Sequence, residues 1–420
     1  MLDLKFIREN QELVRKNIIN KNENSSIDNI IRLDERRRAI IQQVEQLKNQ
    51  RNVVTQEIAR LKKEKLDAEE KIAAMKEVSD TIKSLDDELK DVQDKLESEL
   101  LKIPNMLDSS VPIGKSAQEN LVVRSWGDTS EKQTKNHLEI SKALGILDFE
   151  RATKVTGSGF AYYIGKGAAL ERALINFMLD YHISNHNYTE LIPPLVVNPE
   201  SMKGTGQIPK LAEDMYFIEK DNLYLIPTAE VPITNYYAEE VLKADELTKK
   251  LVGYTPCFRR EAGSYGKETR GFLRVHQFNK VELVKFSKPE DSFDELEKLV
   301  ADVEKILQLL EIPYRVVLLC SGDTSFSSAK TYDLEVWSPG EQKWLEASSC
   351  SNFKDFQARR ANIRFKRNPN DKPEFLHTLN GSGLATSRLI VSIIEHYYND
   401  EINKIRIPEA LKSYCKFDYI

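Results

Sequence analysis

A chain of 420 residues with 61 Lys and Arg against 66 Asp and Glu has a formal net charge of −5, which excludes indiscriminate binding to nucleic acid and makes any phosphate contact a local matter. No run of roughly 18 apolar residues occurs, so no membrane-spanning helix is expected. Cys257, Cys320, Cys350 and Cys415 stand far apart, with no C-x-x-C and no paired spacing with the six histidines, so neither a zinc site nor a disulfide framework is expected.

The length implies more than one domain. The opening MLDLKFIREN has an acidic residue at position 3 and no apolar stretch of signal-peptide type, and a cytoplasmic, reducing setting is the expectation. From Met1 to Ile103 there is neither proline nor glycine; the first of each are Pro104 and Gly114. Helix breakers are absent where long helices are wanted and return where loops and strands begin.

Ile30, Leu33, Arg37, Ile40, Val44, Leu47, Arg51, Val54, Ile58 and Leu61 step by threes and fours, and a second ladder runs through Met75, Val78, Ile82, Leu85, Leu89, Val92 and Leu96. The polar KKEKLDAEEK, residues 62–71, joins them. The spacing predicts an antiparallel helical hairpin over about residues 28–100 within an N-terminal domain of residues 1–104, each arm on the order of 50 Å long. Basic clusters sit mainly on the first helix and an acidic run, DDELKDVQDKLESE, on the second. Two readings fit: a solvated or dimerising coiled-coil rod, and an arm that reaches nucleic-acid backbone.

Residues 105–420 form the expected second domain. A helix is predicted from Gly167 to His186, followed by TELIPPLVV, whose Pro193 and Pro194 confine it to a short or edge strand, either an ordinary edge or a subunit interface. Strand patterns recur at NLYLIPTAE, LVGYTPCFRRE, FLRVHQFNKVELVKF, YRVVLLC, TYDLEVWS and WLEASSCSNF, with helices at about Ser292–Leu310 and Ser387–Tyr398. The fold class is α+β, a mainly antiparallel sheet flanked by helices and preceded by the helical hairpin.

Residues 258–284, FRREAGSYGKETRGFLRVHQFNKVELV, carry Arg259, Arg260, Arg270 and Arg274 with only Glu261 and Glu268 nearby, which predicts an anionic ligand. If the two ends are strands of a hairpin, Arg259 and Glu261 share one face, as do Arg274, His276, Phe278, Lys280 and Glu282. Guanidinium, aromatic ring and carboxylate in a row suit a nucleotide joined to an amine, while His276 reads as structural. Neither GSYGKET nor IGKG has the spacing of a P-loop, so an ATP bound here rests on side-chain arginines.

These motifs resemble those of the seryl-tRNA synthetases of bacterial type, a family of class II aminoacyl-tRNA synthetases, and the similarity spans essentially the whole chain. The helix and strand ending at Pro193 are similar to motif 1, FRREAGSYGKETRGFLRVHQFNKVE to motif 2, and LNGSGLATSRLIVSIIEHYY to motif 3; TAE at 228–230 and EASSCSNFKDFQARR at 346–360 look like the seryl branch. The resemblance implies that Arg259 holds the α-phosphate and the amino-acid carboxylate, Glu261 and Phe278 the adenine, and Arg274 phosphate oxygens. It implies that Arg388 clamps the triphosphate, with Arg259 and Arg388 the catalytic pair and Arg260, Ala347 and Ser348 among the ATP contacts. Glu346 and Ser349 would hold magnesium with ATP. Thr228, Ala229, Glu230, Glu282 and Ser382, with Arg259, would surround L-serine.

The implied reaction is attack of the serine carboxylate on ATP, giving seryl-adenylate and pyrophosphate, then transfer of serine to tRNA(Ser) and to tRNA(Sec) where one exists. The resemblance also implies a homodimer through motif 1 and a hairpin that grips tRNA by shape and phosphate contact. The alternative is a catalytically silent relative kept for regulation or scaffolding, which degraded motif arginines would favour; Arg259, Arg274 and Arg388 are all in place.

Overall fold

The computed structural model describes residues 1–130, 132–262, 272 and 274–420, so Arg270, Glu268 and the rest of the loop at 263–271 lie outside the described residues. It divides into two units: Leu2–Ile19 with Glu23–Ile103, and Met1, Asn20–Asn22 and Pro104–Ile420.

The smaller unit opens with two short helices, Leu4–Glu9 and Gln11–Asn20, the first capped by the Asp3 carboxylate accepting from the Phe6 N–H at 2.9 Å. Then come α1 (Asp28–Lys63) and α2 (Glu69–Leu100), the expected hairpin. Arg60, Lys62 and Lys63 close α1 and Glu69 and Glu70 open α2, each sign matching the helix dipole, and Lys65 turns the chain in the left-handed region at φ 56°. Ile40, Val44, Ile82 and Val92 are buried in the seam, with Leu33, Leu47, Val78, Leu85 and Leu89 packed on them. Toward the tip Val54, Ile58 and Met75 are only half-buried. Cross-helix ion pairs support the register: Arg36 to Glu88 at 2.7 Å through two donors, Lys71 to Glu57 at 2.6 Å.

The larger unit is built on an eight-stranded sheet: β1 (Leu121–Trp126), β2 (Thr189–Glu190), β3 (Lys249–Phe258), β4 (Gln277–Ser287), β5 (Tyr314–Leu318), β6 (Lys330–Ser338), β7 (Lys343–Asn352) and β8 (His377–Ala385). The order is β1-β5-β6-β7-β8-β4-β3-β2, antiparallel throughout except for β2 beside β3. Helices α3 (Lys166–His186), α4 (Ser292–Leu309) and α5 (Thr386–Tyr397) supply Leu170, Leu174, Met178, Leu296, Leu299, Val303, Leu389 and Ile393 to its main core. The mainly antiparallel α+β architecture is as expected, and β2 stops before Pro193 at the edge of the sheet.

Two features differ from expectation. The hairpin strands β3 and β4 end at Phe258 and begin at Gln277, so Arg259, Glu261, Arg274 and His276 lie beyond the strands and the face assigned to them by period two does not hold. Glu261 itself adopts φ 50°, which a strand residue does not. Strand β8 carries the motif 3 residues HTLNGSGLA, whose glycines obscure strand character in the sequence. Those glycines are required by close approach: a Cβ on Gly381 would stand 3.0 Å from the Cys350 sulfur and 3.1 Å from Leu299. Among the described residues no helix is long and apolar enough to cross a membrane.

Candidate active site

Strands β3, β4, β7 and β8 carry the site between them. Just past β3, the Arg259 backbone still pairs with the other arm, its N–H donating to the His276 carbonyl at 2.9 Å, and His276 Nδ1 stands 3.0 Å from the Arg259 carbonyl. The His276 N–H in turn donates to the Gly159 carbonyl at 2.8 Å, and a Cβ on Gly159 would come within 2.4 Å of the imidazole. His276 is thus a structural clasp that holds Arg259 in place. The Arg259 side chain is half-buried, donates to the Pro227 carbonyl at 3.2 Å and lies 5.2 Å from the centre of the Phe278 ring. Among the described residues no carboxylate lies within ion-pair distance of it.

The next residues are held differently. Arg260 is exposed over Tyr216, and its N–H donates to the Asp214 carbonyl at 2.9 Å. Asp214 also accepts from the Ala262 N–H at 2.9 Å, so it pins the exit of β3, a role with no signal in the sequence. Arg274 donates to Glu261 at 3.2 Å.

Deeper in the sheet lies a group of buried charges. Glu282 on β4 stands opposite Ser382 on β8. One of its oxygens accepts from the Thr228 hydroxyl at 3.0 Å and is paired with Lys280 at 2.5 Å; the other is buried with no partner among the described residues. Glu230 opens a short helix, Glu230–Thr234, and accepts from the Gln357 amide at 2.7 Å. Burial, and after it the Glu282 carboxylate beside it, push Glu230 up to about 7, against the pull of the Gln357 N–H, Lys280 and Arg259. Ala229 is buried in a second core with Ile233 and Leu251.

On β7 a bulge at Ala347 decides the arrangement: Glu335 pairs with Glu346 but Leu334 pairs with Ser348, one residue further on. The extra residue brings Glu346 and Ser349, three apart, onto one accessible face, where a regular strand would separate them. Ala347 and Ser348 are buried, and the Ser348 hydroxyl is committed to the Ser382 carbonyl at 2.5 Å. Arg388, in the first turn of α5, donates to the Glu346 carbonyl at 2.6 Å and meets its carboxylate at 3.3 Å. Asp333 lies opposite Ser349, with one oxygen buried and without a partner among the described residues, and burial together with the Glu346 charge raises it well above the usual carboxylate range.

The structure therefore brings together Arg259, Phe278, Thr228, Glu230, Glu282 and Ser382 as one group, and Glu346, Ser349 and Arg388 as another on the same sheet. Sequence reasoning gave no role to Lys280, Gln357, Asp214 or Asp333. Gln357 carried a signal: a polar residue between Phe356 and Ala358, both of which are buried. Away from the site, His137, Glu341 and Glu395 lie within 4.8 Å of one another, but the Glu395 oxygens are already met by the His137 N–H and imidazole, the Ser338 hydroxyl and the Gly340 N–H, a structural clasp at the end of α5.

Known proteins resemble this chain over its full length. Residues 1–107 match the family model of the seryl-tRNA synthetase N-terminal domain, and residues 216–397 that of the class II tRNA synthetase core domain for G, H, P, S and T. The serine-tRNA ligase of Chloroherpeton thalassium is 56% identical over 427 residues, covering 100% of both chains. A seryl-tRNA synthetase from Pyrococcus horikoshii complexed with ATP matches with a TM-score of 0.95 at 39% identity, covering 100% of this chain and 99% of that one. The cytoplasmic serine-tRNA ligase of Naegleria fowleri in complex with AMP matches with a TM-score of 0.89 at 28% identity, covering 100% and 98%. Identity of this extent over full length, on a sheet and hairpin of this kind, means that the chain belongs to the seryl-tRNA synthetases, ligases that join serine to tRNA.

Proposed function

We propose that the site activates L-serine with ATP through the residues just described, without a protein nucleophile. The observation that carries this reading is an unmatched pair of groups on the β3–β4 hairpin: Arg259 at its end, a half-buried cation with no carboxylate partner among the described residues, and Glu282 further along β4, a carboxylate with one buried oxygen that has no partner among the described residues. Together they complement a zwitterion, the Arg259 guanidinium meeting the amino-acid carboxylate and the α-phosphate, the acidic groups meeting ammonium and hydroxyl. Thr228, Glu230, Ser382 and the backbone at Ala229 complete the serine pocket. Glu282 reads the hydroxyl; alanine leaves it unpaired, which accounts for rejection by roughly a thousandfold or more, while threonine is refused for lack of room.

On the nucleotide side Phe278 and Glu261 take the adenine, Arg274 phosphate oxygens, and Arg388 the far end of the triphosphate, with Arg260, Ala347 and Ser348 lining the path. The side-chain donors of Glu346 and Ser349, with Asp333 beneath them, are all oxygen, the set that suits magnesium. Magnesium, when bound with ATP, neutralises phosphate charge; Glu346 and Ser349 would hold it. Fixed guanidiniums stabilise the charge that grows on the α-phosphate oxygens as pyrophosphate leaves. Arg388, now on Glu346, would exchange that partner for phosphate.

The hairpin of α1 and α2 is the tRNA-gripping arm, for tRNA(Ser) and for tRNA(Sec) where the cell has one. The edge strand β2 and helix α3 support assembly as a homodimer through motif 1, and the setting is cytoplasmic. Exchange of labelled pyrophosphate into ATP, run with serine, threonine, alanine and glycine, tests the chemistry: serine alone is expected to support it, and exchange with none of them would contradict the reading.

A further inference from the structure

Gln357, from the helix Phe356–Ala361 that follows β7, is fully buried, and all of its amide hydrogen bonds are identifiable. Its nitrogen lies 3.2 Å from the Thr205 carbonyl, which only accepts, and 2.7 Å from Glu230 Oε1; its oxygen accepts from the Thr378 hydroxyl at 2.7 Å. The Thr205 carbonyl leaves one orientation for the amide, with an N–H aimed at Glu230. The Glu230 backbone is held too, its N–H donating to the Thr228 hydroxyl oxygen at 3.1 Å, the same hydroxyl that donates to Glu282. Two buried carboxylates in one pocket repel; Lys280 and Arg259 act on Glu230 as nearby charges, and the Gln357 amide is the side-chain group that bonds its carboxylate directly.

We propose that Gln357 is a positioning residue that holds Glu230 charged and oriented as the acceptor for the amino group of the bound amino acid. The inference rests on the serine-pocket reading above. Its chemistry is specific: a glutamine N–H supports a carboxylate without supplying a competing positive charge, so the ammonium of the substrate remains the only new cation that Glu230 meets. Lysine at this position would satisfy Glu230 and take the place of the substrate.

The groups that face Glu230 are Lys280 and Glu282 from β4, Arg259 beyond β3, and Gln357 and the Thr228 hydroxyl. Burial and the Glu282 charge push Glu230 up to about 7, so serine capture is expected to improve as pH rises through that range. Without the Gln357 N–H, Glu230 takes up a proton more readily, and the improvement moves to higher pH.

The test is pyrophosphate exchange by the full-length wild type, Q357M, Q357E and T378V between pH 6 and 9, with KM measured separately for serine and for ATP. Q357M is expected to raise the serine KM by about tenfold to a hundredfold at pH 7, the loss of a hydrogen bond to a charged group. The ATP KM should stay within about twofold and the pH profile for serine should move up by about one unit. Q357E keeps the shape but sets a second carboxylate against Glu230, and its defect should grow with pH. T378V, which frees the amide oxygen, should shift the serine KM in the same direction by less. Wild-type serine KM in Q357M across the pH range would overturn the proposal, as would equal rises in both KM values with an unmoved pH profile. If Q357M does not fold, the opposite pH trends expected of Q357E and T378V decide the matter. No serine-dependent exchange in the wild type would overturn the pocket reading and this inference with it; wild-type exchange with unaffected variants would overturn this inference alone.

Discussion

The hairpin and the sheet unit handle charge in opposite ways. Along most of α1 and α2 the ion pairs stand in water, both partners of the Arg36–Glu88 pair being more than a third exposed, with the buried Asp34, paired with Arg8 and Arg38, as an exception. In the sheet unit Lys285 on β4 is wholly buried, bonded to Glu295 at 3.0 Å, and Lys280 and Glu282 are almost as deeply enclosed. A screened pair contributes little to stability, whereas breaking an enclosed pair leaves an uncompensated charge. Charges on the rod are therefore free to serve a partner, while those under the sheet hold the site in shape.

This contrast sets the scale of four substitutions. The largest effect is expected at Arg259: R259A should lower serine-dependent exchange by about a thousandfold or more, with the thermal midpoint kept, if its guanidinium meets reacting charge as proposed. Retained exchange in a folded R259A protein would break the reading of the site. K285A should leave exchange chemistry untouched but destabilise the fold by about 2 kcal/mol, because Glu295 loses its buried counterion and keeps only the more exposed Lys298; denaturant unfolding at fixed pH measures this.

Glu171 on α3 sharpens the point from the other side. Burial pushes it up to about 7 although it accepts from Asn279 at 2.7 Å and Thr386 at 2.5 Å, and its second oxygen has no partner among the described residues. A carboxyl raised in the folded state stabilises it fully below the ordinary carboxylate range, and that contribution is lost as pH rises through about 7. E171Q should thus gain on the wild type between pH 6 and pH 8.5, by about 1–3 kcal/mol, and a pH-independent difference would contradict the assignment. The smallest effect is expected at Arg36, whose removal should leave both the midpoint and exchange where they were, as checked by the same unfolding curves.

Legibility in the sequence follows the same division. The hairpin is readable because its burial is periodic and no proline or glycine interrupts it; Ile40, Val44, Ile82 and Val92 lie in the seam that the threes and fours select. The charged stretch at 258–284 stands out in the sequence by its excess of arginines, and the structure adds that Arg274 has Glu261 while Arg259 has no carboxylate within ion-pair distance among the described residues. What the sequence hides is long-range. Gln357 meets Glu230 across 127 positions of chain, and the bulge that turns Glu346 toward Ser349 exists only once β6 and β7 pair. Strand β8 is hidden because its glycines answer to neighbours distant in sequence, Gly381 to Leu299 and Cys350 and Gly383 to Val281, not to a local propensity.

The central claim is that amino-acid activation belongs to the sheet unit and tRNA capture to the hairpin. The direct measurement compares serine-dependent pyrophosphate exchange with tRNA charging in the full-length protein and in one lacking residues 30–100, with a short linker in their place. The account predicts nearly unchanged exchange and sharply weakened charging in the shortened protein; equal charging by the two would show that the arm is not a tRNA device.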